Sequence, residues 1–275
     1  MTDQGDPLAR IASALERLAG ALPAMPDWNC APAYVWDRTG ARAVVTLAAP
    51  ALDLLKGIDA QKELVTANVA RLAAGHSAHD MLLWGARGMG KSALLRASVI
   101  DAQAEVPGSL ALVQVAASAF AALPFLFGAL GAEQRRFLVF IDDLGFADGN
   151  SEGPRALRSW LEGGVDARPT NVRLAVTANR RAIVPRHASE QDDPINPRDA
   201  IDDKLALADR FGLSVGFHAC SQDDYLAIVS GYCASHGLAW DQGEALEWAK
   251  RRGARSGRVA WQFVTELAGR AGRSL

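Results

Sequence analysis

The chain has 275 residues, 49% hydrophobic and 22% charged, with a formal net charge of −2, an ordinary globular composition with enough apolar material for one large domain or two smaller ones. Cys30, Cys220 and Cys233 are widely spaced and form no C-x-x-C, which argues against a disulfide framework or a zinc site and for a reducing cytosol. No run of eighteen apolar residues occurs, and acidic residues precede the first apolar stretch, so no membrane span or signal peptide is expected and the expected location is cytoplasmic.

Leu8, Ile11, Leu15, Leu18 and Leu22 recur at helical spacing and predict an amphipathic helix from about Pro7. Pro23, Pro26 and Pro32 break that pattern, and two short strands, 34–36 and 43–47, flank Asp37-Arg38-Thr39-Gly40 as a hairpin would. Residues 1–50 read as an N-terminal extension. A helix is predicted over 60–73, with Leu64, Val65, Val69 and Leu72 on its apolar face.

The stretch around which the chain is organised follows. Gly85-Ala86-Arg87-Gly88-Met89-Gly90-Lys91-Ser92 fits the P-loop pattern G-x-x-x-x-G-K-[ST]. The apolar run 81–84 leads into it as a buried strand would, and the helix-forming run 93–97 leads away. Glycines let backbone N–H groups turn toward a phosphate, and the helix N-terminus adds partial positive charge. Lys91 suits the β- and γ-phosphates of a nucleoside triphosphate, and the Ser92 hydroxyl suits Mg²⁺.

Residues 110–115 form a second strand candidate, and 121–130 read as a helix with Pro124 near its start. Phe120, Phe125 and Phe127 in this region are expected in the core rather than in a pore. The apolar run 137–141 ends in Asp142-Asp143, a Walker B element that presents a carboxylate at the end of a buried strand; Asp142 suits Mg²⁺, through water. After a predicted helix over 153–162, strand 172–177 ends just before Asn179. The polar stretch 180–203 reads as a long loop, 203–210 as a helix and 213–217 as a fifth strand. Strands alternating with helices imply an α/β fold with a parallel five-stranded sheet covered on both faces. From Ser221 the pattern turns helical, with Ser221 a cap for a helix starting at 222 and further helices over 242–250 and 258–268. The expected organisation is an extension (1–50), an α/β nucleotide domain (51–220) and a small helical lid (221–275).

Walker A, Walker B, a polar residue ending the next strand and a helical lid resemble the AAA+ ATPases. More specifically, the strings LLWGARGMGKSALLRA, FIDDLGF, LRSWLEGG, TANRR, LADRFGL, SQDDYLAIV and RSGRVAWQFV occur in that order, as in a bacterial AAA+ family catalogued as domain of unknown function eight-fifteen. The resemblance covers roughly 50–272. It implies an ATP-binding AAA+ type P-loop NTPase with Mg²⁺, packing of the adenine on the stretch containing Gly57 and Ile58, Asn179 as the residue that orients the attacking water, Arg210 as an arginine finger reaching a neighbouring subunit, and Arg258 as the phosphate sensor of the lid, with Arg255 its competitor. It further implies a homo-oligomer through the arginine-finger interface but supplies no client, so the protein client is left unknown. Most AAA+ proteins follow the Walker B Asp with the Glu that acts as base. Here Asp143, one methylene shorter, stands in that place, and Ala147 stands where the family tends to carry another Glu.

The expected function is a slow Mg²⁺-dependent ATPase acting as a molecular switch or remodelling factor. An ATP-dependent binding module with little hydrolysis, a P-loop small-molecule kinase and a DNA-associated loader are the alternatives. The cluster Arg251, Arg252, Arg255 and Arg258 suits phosphate contact, but the overall acidity does not indicate nucleic acid. For Arg210 a structural ion pair with Asp202, Asp203 or Asp209 is the competing reading.

Overall fold

The structure is a computed structural model of the chain and describes residues 25–37, 39–144, 157, 161, 169–179 and 208–275. The helix expected from Pro7, Ala147, most of the helix expected over 153–162, the stretch 180–203 and most of the helix expected over 203–210 lie outside the described residues.

Among the described residues seven strands form one sheet: β1 (Ala33–Asp37), β2 (Gly40–Val44), β3 (Met81–Gly85), β4 (Leu110–Val115), β5 (Arg136–Ile141), β6 (Val172–Ala178) and β7 (Leu213–Phe217), in the order β2-β1-β4-β5-β6-β3-β7. The five expected parallel strands are present and adjacent. Their count needs correction, because the hairpin adds two strands to the same sheet. β1 runs parallel to β4 with Ala33 opposite Leu112, and β2 returns antiparallel as the edge.

Side chains explain the docking of that hairpin. Tyr34 and Trp36 are fully buried, and the Tyr34 hydroxyl donates to Asp27 O at 2.8 Å. From the start of β5's segment, the buried Arg135 guanidinium donates to the carbonyls of Trp28 and Ala31 at 2.7 and 2.8 Å. β2 also starts three residues before the expected 43–47, because Asp37 pairs directly with Gly40 across a two-residue turn. The β-branched Val45 is left beyond the strand, 84% exposed, so pairing geometry overrides local strand propensity.

Helices cover the sheet. α1 (Asp59–Ala73) and α2 (Lys91–Glu105) pack against one face, where Val65, Val69, Leu94 and Leu95 meet Met81, Leu83, Leu138 and Phe140. On the other face α3 (Leu123–Gly131), with Leu157 and Leu161, covers Leu82, Val113, Val139 and Val176. Burial on both faces is why the central strands read as continuous apolar runs. Of the aromatics near α3, Phe127 is in the core, while Phe125 is 50% exposed and stacks on Trp36.

Past β7, α4 (Gln222–His236), α5 (Gln242–Arg251) and α6 (Gly257–Arg270) close over a separate core of Tyr225, Val229, Ala245, Phe263 and Val264. Ser221 caps α4 as expected: its hydroxyl accepts the Asp224 N–H at 3.0 Å while the Asp224 carboxylate accepts from the Ser221 N–H and hydroxyl, a reciprocal capping box. No helix among the described residues is long and apolar enough to cross a membrane.

Candidate functional site

The loop between β3 and α2 is shaped by what crowds it. Gly85 has φ +142°, and a Cβ there would lie 2.2 Å from the Phe217 carbonyl oxygen of β7. Gly88 has φ +80°, and a Cβ there would lie 2.9 Å from Ser256 Oγ and 3.4 Å from Arg258 Cβ. The first glycine lets the loop leave the sheet; the second lets the start of α6 sit directly on it.

Inside this turn the Lys91 side chain is buried, 7% exposed. Its Nζ donates to the carbonyls of Gly85 and Ala86 at 2.6 and 2.8 Å. Burial pulls the Lys91 pKa below its ordinary value; the Asp143 and Asp142 carboxylates oppose that shift, and Arg258 and Arg87 reinforce it. An ammonium ion in this setting has only neutral oxygens for direct partners, so an anion entering the loop gains a charge that is already desolvated.

The carboxylates arrive from the C-terminal end of β5. Ser92 Oγ donates to Asp142 Oδ1 at 2.6 Å, and Thr177 Oγ1 of β6 donates to the same oxygen at 2.7 Å. The Asp143 N–H in turn donates to Thr177 Oγ1 at 2.8 Å. Asp143 has φ +52°, the single non-glycine residue with positive φ among the described ones; Asp and Asn tolerate that left-handed conformation better than Glu does. Its Oδ1 accepts from the Asn179 amide and its Oδ2 from Arg87 Nη2 at 2.9 Å. Ser92 and Asp142 form a hard oxygen donor pair of the kind Mg²⁺ takes when phosphates and water complete its shell. Among the described residues no group of three or more His, Cys, Asp or Glu could hold a metal by itself.

Beside the loop lies a cavity of about 180 Å³. Gly57 and Ile58, Met89 and Gly90 of the loop, and Asp224 and Tyr232 of α4 are among the residues that line it, with Gly57 packed directly against the Asp224 side chain. Its lining is mostly apolar with a few polar groups, as a nucleobase site requires.

The structure thus brings together Gly57, Ile58, the loop 85–92, Asp142, Asp143, Asn179 and Arg258. Arg255 is close enough to Cys220, which lines the same cavity, for its charge to pull that thiol's pKa down. Arg210 is separated from this group. It lies in the single turn Ala208–Arg210 before β7, and Gly212 packs on His79 ahead of β3. β7 pairs in parallel with β3, Leu213 opposite Met81 and Phe217 opposite Gly85. Arg210 therefore stands at the opposite end of the strands from its own P-loop, about 16 Å of strand away at about 3.3 Å per residue. Two features escaped sequence reasoning. Thr177 sits inside an apolar run with nothing to distinguish it from a core β-branched residue, and Arg87, expected among the nucleotide-binding residues of the loop, occupies an x position with no pattern that signals its bond to Asp143.

The model of the family described as "Protein of unknown function (DUF815)" matches residues 29–271. The chain belongs to the DUF815 family. Comparison with curated proteins gives no match. Among solved structures, this DUF815 chain is similar to the Aeropyrum pernix ORC1 protein in complex with DNA, with TM-score 0.54 and 16% identity over 80% of this chain and 62% of that one. A mutant of Thermotoga maritima RuvB gives TM-score 0.51 and 18% identity over 79% and 65% of the two chains. Domain III of the Thermotoga maritima replication initiation protein DnaA gives 0.50 and 11% over 84% and 89%. The DUF815 fold is that of the AAA+ P-loop ATPases, with the β1–β2 hairpin beside its five parallel strands.

Proposed function

We propose that this DUF815 chain binds ATP with Mg²⁺ and hydrolyses it slowly, as an oligomeric switch or remodelling factor of the cytoplasm. The observation that carries the reading is the convergence at one end of the sheet of a buried Lys91, the Ser92–Asp142 pair and the Asp143–Asn179 pair. Lys91 and the loop amides hold the phosphates, and Ser92 and Asp142 hold the metal, which when bound neutralises charge developing on the phosphates. Asp143 accepts the proton of the attacking water, Asn179 orients it, and Arg258 reaches the phosphates from the start of α6.

Asp143 is one methylene shorter than the Glu common at its place, and a displacement of about 1 Å costs on the order of 10²-fold in rate. This supports slow turnover. Arg210 is too far from its own P-loop to serve it, so it acts on the site of the next subunit. Arginine fingers are worth about 10³–10⁵ in turnover in GTPases. ATPase rate per subunit, followed against protein concentration, tests this: it is expected to rise steeply with assembly and to stay low in Arg210→Ala. A flat profile shared by both proteins removes the trans-acting role.

One observation favours a second reading, a nucleotide-dependent binding module with little hydrolysis. Both Asp143 oxygens are already engaged, by Asn179 and Arg87. A single-turnover assay separates the two readings, since a module retains its ATP for many times the expected cycle.

A further inference from the structure

We infer that Arg87 is a positioning residue: it holds Asp143 in a resting arrangement and transfers to the γ-phosphate of an arriving nucleoside triphosphate, which frees Asp143 to work. The inference rests on the ATPase reading above.

Asp143 is half-exposed, but three of its polar atoms are held. Its N–H is taken by Thr177 at 2.8 Å, its Oδ1 by the Asn179 amide and its Oδ2 by Arg87 at 2.9 Å. With the backbone set at φ +52°, the carboxylate cannot swing toward a water beside the phosphates until one side-chain hold opens. The Thr177 hold comes from within β6, where Thr177 is paired with Leu83, and Asn179 directly follows Ala178, the last paired residue of that strand. Arg87 comes from the phosphate loop itself, four positions before Lys91, so it is the hold that a ligand in the loop can draw away.

Charge favours the transfer. Arg87, Lys91 and Arg258 are close enough for the two arginines to depress Lys91, against the two carboxylates Asp142 and Asp143. The loop's own charged side chains, Arg87 and Lys91, are both positive. Arg87 and Asp143 are 69% and 51% exposed, and exposed pairs of this kind shift an equilibrium by at most about five-fold. A phosphate offers a guanidinium stronger, charge-assisted and bidentate bonds. The hold is firm enough to bias the resting site and weak enough to yield to a triphosphate; a diphosphate, lacking the γ-phosphate, leaves it in place.

The test is equilibrium titration of Mg²⁺ with ADP and with a non-hydrolysable ATP analogue, on wild type, Arg87→Gln, Arg87→Lys, Asp143→Asn and the double variant Arg87→Gln/Asp143→Asn, each checked for an unchanged melting transition. Arg87→Gln is expected to weaken the ATP analogue about ten-fold, the worth of one charge-assisted bond, with ADP affinity within about two-fold, and Arg87→Lys to recover part of the loss. Asp143→Asn is expected to tighten the analogue by up to about five-fold, and only where Arg87 is present. Equal losses for ADP and the analogue in Arg87→Gln, or the same gain from Asp143→Asn with and without Arg87, overturn the inference while leaving the ATPase reading intact. A wild type that binds neither nucleotide overturns both.

Discussion

The Thr177 hydroxyl donates to Asp142 Oδ1 at 2.7 Å while accepting the Asp143 N–H at 2.8 Å, so one buried side chain of β6 fixes the carboxylate of one residue and the backbone of the next, just past the end of β5. Removing it leaves the fold nearly isosteric and the site loose. Thr177→Val is expected to raise the Mg²⁺ concentration needed for ATP hydrolysis by about 10–100-fold, the usual cost of losing a group that orients a metal ligand. It is also expected to lower stability by about 1–3 kcal/mol through the orphaned Asp143 N–H. Mg²⁺ titration of the ATPase rate and urea unfolding check the two effects. An unchanged Mg²⁺ dependence means that Asp142 is positioned without Thr177.

Gly85 sets the exit of the phosphate loop from the sheet. An added methyl group would meet the Phe217 carbonyl at 2.2 Å from a residue with φ +142°, and that carbonyl belongs to a paired strand that cannot move cheaply. Gly85→Ala is therefore expected to cost about 2–4 kcal/mol, read by denaturant unfolding, and to depress nucleotide affinity. A cost below about 1 kcal/mol means that β7 yields at this point.

Cys220 reports on the cavity beside the phosphate loop, the site proposed for the nucleobase. Burial pushes its thiol from 9.0 up to about 11, with the Asp224 carboxylate adding to the rise and Arg255 opposing it. A two-unit rise leaves about a hundred-fold less thiolate near pH 8 than an unperturbed thiol has. Iodoacetamide is thus expected to label Cys220 about a hundred-fold more slowly in the native than in the urea-unfolded protein, and more slowly again with nucleotide bound, as followed by mass spectrometry. The sign for stability follows: the thiol's contribution is full below about pH 9 and is lost as pH rises toward 11. Labelling as fast in the folded as in the unfolded chain contradicts the upward shift of this half-buried thiol.

Some of this architecture is legible in the sequence for physical reasons. β5 is buried on both faces, so it reads as an unbroken apolar run ending in Asp142, and the P-loop is a local pattern whose glycines and Lys91 are needed wherever it occurs. The hairpin 33–44 is different. Its strands are visible, but the pairing of Ala33 with Leu112 is non-local, and no residue in 25–37 signals that Tyr34 and Trp36 are core. The Arg87–Asp143 bond joins residues 56 apart in sequence, one of them at a pattern-free loop position. Arg258 and Arg255 look alike in the chain, and nothing in the sequence signals that Ser256 and Arg258 sit on Gly88.

The central claim is that the buried Lys91 belongs to a triphosphate site. Calorimetric titration of MgATP into wild type and Lys91→Ala tests it most directly. The expected result is one saturable site per chain in wild type and no measurable binding in Lys91→Ala, whose melting transition without ligand stays close to that of wild type. Equal ATP affinity in the two proteins, or none in either, contradicts it.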